Sequence, residues 1–244
     1  MLLALDIGNT RIKVAVFQED RIVFIESIES KIFLNNIENI LNSYPKITDM
    51  VVSSVGKWAE NDFLTLKSKV KICFLDQNIS FPFQNCYQTP QTVGIDRLVL
   101  SAGAVLQFPN QNRLIIDAGT CVTYDFVDEH NRYFGGAISP GFRLRYESLN
   151  NYTAKLPLLT LQAPDDWIGN STTAAIHSGV VNGMIYEIDG FINQYLAKYA
   201  NFIIILTGGD ANFLAKRLKN TIFANSNFLL ESLNQTFQYI NKND

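Results

Sequence analysis

The chain has 244 residues, of which 47% are hydrophobic and 18% charged, and its formal net charge is −3. This is ordinary globular composition, which excludes a disordered tail, a collagen-like chain and a coiled coil, and the length suits one large domain or two closely associated lobes. No block of five or six like charges occurs, so the basic stripe of a nucleic-acid binder is missing, and three scattered cysteines without a CxxC pair exclude a disulfide framework and suit a reducing compartment.

Residues 2–5 form a short apolar strand that breaks at Asp6, too short for a secretory leader. The strand runs into Asp6-Ile7-Gly8-Asn9-Thr10. Beyond this turn Ile12, Val14 and Val16 alternate with Lys13, Ala15 and Phe17, the period-2 pattern of a β-hairpin. Residues 21–25 make a third strand. Leu34, Ile37, Ile40 and Leu41 stand at helical spacing. Strands follow at 50–55 and 69–75, with a short helix at 63–66 between them. Residues 80–90, with two prolines, form a loop; Gly94-Ile95-Asp96-Arg97 follows, and an alanine-rich helix runs over 98–106. Alternating strands and helices argue α/β architecture.

The opening pattern then returns. Leu114-Ile115-Ile116 is an apolar strand that runs into Asp117-Ala118-Gly119-Thr120, and Val122, Tyr124 and Phe126 alternate beyond it. Asp6 and Asp117 lie nearly half the chain apart. We read an internal duplication into two α/β lobes, 1–112 and 113–244, each opening with an Asp-x-Gly hairpin. In the second half Gly135-Gly136-Ala137-Ile138-Ser139-Pro140-Gly141 reads as a glycine-rich turn. A long helix spans 172–200 with Ile176, Val180, Met184 and Ile188 on one face. Residues 202–206 form a buried strand, too short to span a membrane. It ends in Thr207-Gly208-Gly209-Asp210, and helices follow over 211–219 and 228–240. The segment 143–168 fits no pattern.

Asp and Gly dominate ordinary turns, so one Asp-x-Gly carries little information. Two copies, each after a buried strand, support a second reading. The glycine lets backbone N–H groups approach a phosphate, and Thr10 and Thr120 add hydroxyl donors. Asp6 and Asp117 fit such a site if a cation lies between carboxylate and phosphate, and Lys13 can neutralise further charge. Neither segment is a P-loop. Thr207-Gly208-Gly209-Asp210 is either a capped helix start or a glycine platform for a flat ligand. Asp96 is either a cap or a base that accepts a hydroxyl proton beside an arginine clamp. His130, in a polar loop, is set aside as solvated, and His177, within the long helix, as a packed or surface histidine.

In order and spacing, Asp6-x-Gly-Asn-Thr10, Gly94-x-Asp-Arg97, Asp117-Ala-Gly-Thr120, Gly135-Gly-x-Ile-x-Pro-Gly141 and Thr207-Gly-Gly-Asp-Ala211 resemble type III pantothenate kinase over essentially the whole chain. The resemblance implies two duplicated actin/hexokinase-like (ribonuclease H-like) lobes around a central nucleotide cleft. It implies ATP-dependent phosphorylation of pantothenate to 4′-phosphopantothenate, the first step of coenzyme A synthesis. Asp96 then matches the catalytic base. Asp6, Ile7, Gly8, Asn9, Thr10, Arg11, Ile12 and Lys13 match the first phosphate loop, and Thr120, Gly208 and Gly209 match further ATP contacts. Tyr87, Gly94, Ile95, Asp96 and Arg97 match the pantothenate pocket, which Thr172 completes across a homodimer interface. Mg²⁺ is expected at Asp6 through water, and a monovalent cation, K⁺ or NH₄⁺, at Asp117. The face of Ile176, Val180, Met184 and Ile188 is either ordinary intramolecular core or the dimer seam; periodicity cannot decide, and the resemblance favours the seam. No nucleic-acid or membrane partner is expected, and the compartment is the cytoplasm. The rival readings are a non-catalytic nucleotide-binding regulator, which could dispense with Asp96, and a sugar kinase or exopolyphosphatase, which has no need of Gly94-x-Asp96-Arg97.

Overall fold

An apolar run after Met1, buried at every position, and the strands that follow it build an antiparallel meander of β1 (Leu2–Ile7), β2 (Ile12–Gln18) and β3 (Arg21–Ile28). The computed structural model describes residues 1–8, 11–29, 33–54, 58 and 60–243. Asn9 and Thr10 of the expected phosphate loop lie outside the described residues, as does Val55 at the end of the expected fourth strand. β4 (Asp49–Ser54) pairs parallel with β1, and β5 (Lys71–Phe74) pairs parallel with β4, giving the order β3-β2-β1-β4-β5. One face of this sheet, with Leu3, Leu5, Ile7, Met50 and Val52, is covered by Phe33, Ile37, Ile40 and Leu41 of α1 (Phe33–Ser43). A 3₁₀ turn, Glu60–Phe63, stands where a short helix was expected slightly later.

The expected loop at 80–90 contains β6 (Gln84–Asn85), which pairs with Arg132 and Tyr133. α2 (Ile95–Gln107) starts three residues earlier than the alanine-rich run suggests, so Asp96 and Arg97 lie in its first turn. Packed against α2 is α6 (Phe228–Asn243), which also meets β1, β2 and β4. The two helices approach so closely that a Cβ on Gly103 would collide with Ser232. The first compact unit therefore comprises Met1–Pro109, Asn131–Tyr133 and the stretch from Asn227 on. The reading that kept this last helix with the second half differs here. An amphipathic helix declares that it has an apolar face, and tertiary packing alone decides what that face covers.

The second unit, Asn110–His130 and Phe134–Ser226, repeats the sheet. β7 (Asn112–Ala118) and β8 (Cys121–Val127) form the hairpin, with β9 (Arg132–Pro140) beside β8. β10 (Phe202–Thr207) pairs parallel with β7, and β11 (Phe223–Ala224) with β10. The order β9-β8-β7-β10-β11 matches β3-β2-β1-β4-β5 strand for strand.

Three helices belong to the second unit: α3 (Phe142–Asn151), α4 (Thr172–Lys198) and the short α5 (Ala211–Ala215), which stops well before the expected 219. Ile176, Val180, Met184 and Ile188 of α4 are all at least nine-tenths buried against Leu114, Ile116 and Tyr124 of the sheet. This corrects the dimer-seam expectation: the apolar face of α4 is intramolecular core. The glycine-rich stretch is corrected too, because residues 135–140 are strand β9 and not a turn. Their glycines permit a close crossing of strands, since a Cβ on Gly136 would meet the backbone of Tyr124.

Candidate functional site

Asp6 and Asp117 occupy the same place in the repeat, the penultimate residue of the strand that opens each unit. That is the carboxyl end of a strand with a parallel neighbour, where open α/β sheets gather ligands. In the first unit Lys13 stands opposite Asp6 on β2 at the same register, so both side chains share one face. Asp6 is 8% exposed and Lys13 half-buried. Gly8 N–H donates to Arg11 O at 3.2 Å. Ile7 and Ile12 are buried, so only their backbone can serve a ligand, while the Arg11 side chain is exposed.

The second cluster of the first unit surrounds the start of α2. Gly94 is its N-cap, and a Cβ there would collide with Asp96 Oδ1; the glycine makes room for this carboxylate to fold back over the helix start. Asp96 Oδ1 accepts from Arg97 N–H at 2.9 Å, so the acid is oriented by its own first turn. Ile95 is buried and anchors that turn. Arg97 is 7% exposed, and its guanidinium lies 5.9 Å from the centroid of the Tyr87 ring. Tyr87 in turn neighbours the fully buried Tyr133, ring centroids 6.2 Å apart. The geometry joins a carboxylate, a guanidinium and an aromatic wall, the groups needed to take a hydroxyl proton and grip an acidic molecule.

In the second unit the turn after β7 is only Gly119 and Thr120, and Gly119 N–H donates to Cys121 O at 2.9 Å. Two other segments press on it. Gly141 N–H donates to Thr120 O at 3.0 Å, and a Cβ on Gly141 would collide with Gly119 O and Thr120 O. Gly208, at φ +95°, stands so near β7 that a Cβ would meet Ala118 O and Asp117 Oδ1. Asp210 N–H donates to Ala118 O at 3.0 Å, its carboxyl makes no side-chain cap, and burial pushes that carboxyl up from its ordinary value. Asp117, Thr120 and Gly208 thus converge, with the exposed Gly209 beside them.

A hard carboxylate oxygen beside backbone carbonyl oxygens is the chemistry that K⁺ or Mg²⁺ takes. The oxygens at Asp117 and the carboxylate of Asp6 are therefore of the kind that a hard cation takes. Among the described residues no three His, Cys, Asp or Glu side chains gather to hold a metal.

Sequence reasoning missed the brace behind Gly141. Arg145 Nε donates to Pro140 O at 2.8 Å, and its Nη2 donates to Ser139 Oγ at 3.1 Å and to Glu187. Tyr124 O–H donates to the other Glu187 oxygen at 2.9 Å. Burial pushes the Glu187 carboxyl up, but hydrogen bonds with Arg145, Ser139 and Tyr124 and the charge of Arg145 hold it below its ordinary value. An Arg–Glu pair 42 residues apart leaves no local pattern in a sequence. The structure brings Thr172 into no hydrogen bond with these turns among the described residues. It is exposed at the start of α4, on a groove of about 650 Å³ lined by Arg145, Leu149, Leu156 and Gly179. His177 is packed, its Nδ1 2.8 Å from Tyr146 Oη, and the His130 side chain is largely exposed.

The family model for type III pantothenate kinase matches residues 2–194. The chain is 60% identical to the type III pantothenate kinase of Flavobacterium johnsoniae over the whole of both chains. It is 63% identical to that of Flavobacterium psychrophilum, covering 98% of this chain and 99% of the other. Among solved structures, a Baf family protein from Campylobacter jejuni superposes with a TM-score of 0.64 at 21% identity, covering 99% of this chain and 100% of its own. The activator of 2-hydroxyisocaproyl-CoA dehydratase from Clostridium difficile, with bound ADPNP, superposes at 0.57 with 12% identity, covering 99% and 96%. These likenesses carry the fold alone, the two-lobed actin/hexokinase-like α/β fold.

Proposed function

The chain belongs to the type III pantothenate kinase family, and on that premise we propose that it transfers the γ-phosphoryl group of ATP to the primary hydroxyl of pantothenate, the first step of coenzyme A biosynthesis. The observation that carries this reading over any other kinase of the fold is the Asp96–Arg97–Tyr87 arrangement at the start of α2. Asp96 accepts the hydroxyl proton as the oxygen attacks the γ-phosphorus and the bond to the β,γ-bridging oxygen breaks, leaving ADP. Arg97 grips the pantothenate carboxylate, backed by the Tyr87 ring, and Gly94 and Ile95 hold both side chains in place. Near Asp6 the backbone from Ile7 to Ile12, with Asn9, Thr10 and Arg11, donates to ATP phosphates, and Lys13 offsets their charge. Thr120, Gly208 and Gly209 serve the nucleotide from the second unit. When bound, a divalent ion supplies charge neutralisation at the phosphates; Asp6 would hold it through water, and Asp117 would hold K⁺ or NH₄⁺.

We take the active form to be a homodimer in which Thr172 reaches the pantothenate of a second copy. The support is the outward side of α4. Gly179, Gly183 and Gly190 have nothing within 4 Å of the place a Cβ would take, and Tyr186 is 60% exposed. Each helical glycine costs about 1 kcal/mol relative to alanine. Nothing among the described residues requires those three, whereas a closely approaching second copy would. The scattered thiols of Cys73, Cys86 and Cys121 support a cytoplasmic setting, and no described helix is long and apolar enough to cross a membrane. The test is incubation of the pure protein with ATP, Mg²⁺, K⁺ and pantothenate, with sugars and polyphosphate as controls. A product heavier than pantothenate by one phosphoryl group is expected, and turnover of a sugar in its place would refute the assignment.

A further inference from the structure

Among the described residues four buried side-chain polar atoms have no hydrogen-bond partner: Ser53 Oγ, Thr207 Oγ1, Asp189 Oδ2 and Thr236 Oγ1. Two of the four occupy the same place in the repeat. Ser53 stands on β4 at the register position of Asp6, and Thr207 stands on β10 at the register position of Asp117. Residues paired across neighbouring strands share a face of the sheet, so each hydroxyl stands beside its carboxylate. β4 and β10 are also the equivalent strands of the two sheets. Both residues are enclosed, Ser53 at 0% and Thr207 at 1% exposure.

A buried hydroxyl is ordinarily hydrogen-bonded, because it has given up its bonds to water. A single orphan can be an accident of packing. Two orphans at repeat-related positions, each flanking the one carboxylate that ends the opening strand, share a cause. The other two have no such placement. Asp189 is already held through its second oxygen by Lys219 N–H and Asn220 Nδ2, and Thr236 lies on α6.

We propose that Ser53 and Thr207 are ion-site residues. Each hydroxyl completes the oxygen set offered by the adjacent carboxylate, Ser53 toward the hydrated divalent ion at Asp6 and Thr207 toward the monovalent ion at Asp117. The inference rests on the assignment of those ions made above. A hydroxyl suits such a place because it adds a neutral hard oxygen with two acceptor lone pairs, and its proton turns freely toward an ordered water or phosphate oxygen. It therefore strengthens an ion site without a second negative charge that would repel phosphate. At position 207 the β-branch of threonine fixes χ1, so the hydroxyl keeps one direction. Gly208, next along the chain, is pressed against Asp117 Oδ1, which keeps this strand end in close register with the carboxylate.

The test uses the full chain with ADP, because its readout is binding and not turnover. Thr207→Val and Ser53→Ala remove the hydroxyls while keeping or reducing bulk, and Thr236→Val is the matched control from the same set of orphans. Thermal unfolding is followed across a KCl titration at fixed Mg²⁺, then across a MgCl₂ titration at fixed K⁺, and Mg-ADP binding is measured by calorimetry. Without the ions each variant should melt within about 2 °C of wild type, since no hydrogen bond within the chain is lost. Thr207→Val should need roughly tenfold more KCl, and Ser53→Ala roughly tenfold more MgCl₂, for the same stabilisation, the scale of loss when a group supporting a metal ligand is removed. Thr207→Ser should restore the KCl response, and Thr236→Val should leave both titrations unchanged. Titrations of Thr207→Val and Ser53→Ala that superimpose on a responsive wild type would overturn the inference alone. So would a lowered melting point with unchanged ion dependence. A wild type indifferent to KCl would overturn the cation assignment at Asp117 and the Thr207 half with it.

Discussion

The two units build one sheet twice and finish its central turn in two ways. In the first, four residues separate β1 from β2, and a Cβ on Gly8 would meet one atom, Arg11 O at 3.2 Å, which would have to give by a few tenths of an ångström. In the second, two residues separate β7 from β8, and the turn is held between Gly141 and Gly208, neither of which tolerates a Cβ. Behind Gly141 stands the Arg145–Glu187–Tyr124 brace, for which the first unit offers no counterpart among the described residues. On the function proposed above, the connection beside Lys13 would grip and release a phosphate, and the short braced turn would be the fixed anchor for nucleotide and ion.

If the units divide the work in this way, substitutions in them should fail differently. The largest effect is expected from Asp96→Asn, which keeps shape but cannot take a proton. Turnover should drop by roughly 10²–10⁴-fold, the usual worth of a general base, with KM for ATP unchanged. Steady-state kinetics checks this, and near-normal kcat would remove Asp96 from the chemistry. Next come Gly141→Ala and Gly208→Ala. Each should cost about 2–4 kcal/mol of stability, because backbone must move, and at Gly208 a positive φ adds strain. Gly8→Ala should cost no more than about 1 kcal/mol. Urea unfolding of the three variants compares the two turns directly, and equal losses at Gly8 and Gly141 would erase the contrast.

A smaller effect is expected from Glu187→Gln, about 1–3 kcal/mol for hydrogen bonds to a charged group. Its pH dependence follows from the direction of the shift. The folded state holds the Glu187 carboxyl below its ordinary 4.5, so it contributes stability that is fully present above that value and lost as pH falls through the lower folded value. The gap between wild type and Glu187→Gln should therefore be constant near neutrality and narrow below about pH 4. Melting curves from pH 7 to 3 check it, and a gap that widened with acid would contradict the brace. The smallest effect belongs to Gly209→Ala. Gly209 is exposed with open space at its Cβ position, and stability should change by less than about 0.5 kcal/mol.

Much of this was legible in the sequence, for physical reasons. Period-2 alternation at Ile12, Val14 and Val16 and the apolar run at 114–116 report strands with a buried face, and the repeat of Asp-x-Gly reports the duplication. What failed was whatever depends on distant partners. Residues 142–151 fold as α3 but bury only Phe142 and Tyr146, too little to show a helical period. Gly135 and Gly136 look like turn residues until β9 is seen crossing close to β8. The apolar face of α4 is visible in the sequence, but periodicity cannot say whether core or partner covers it. Ser53 and Thr207 gain meaning only from strand register, which joins residues far apart in the chain.

The division of labour is tested most directly by a KCl titration of ATP-to-pantothenate phosphoryl transfer in wild type and Asp117→Ala. The account predicts that K⁺ stimulates the wild type and that the Asp117→Ala curve is flat at a low rate, with KM for pantothenate little changed. Stimulation of Asp117→Ala over the same KCl range and to the same degree as wild type would contradict it.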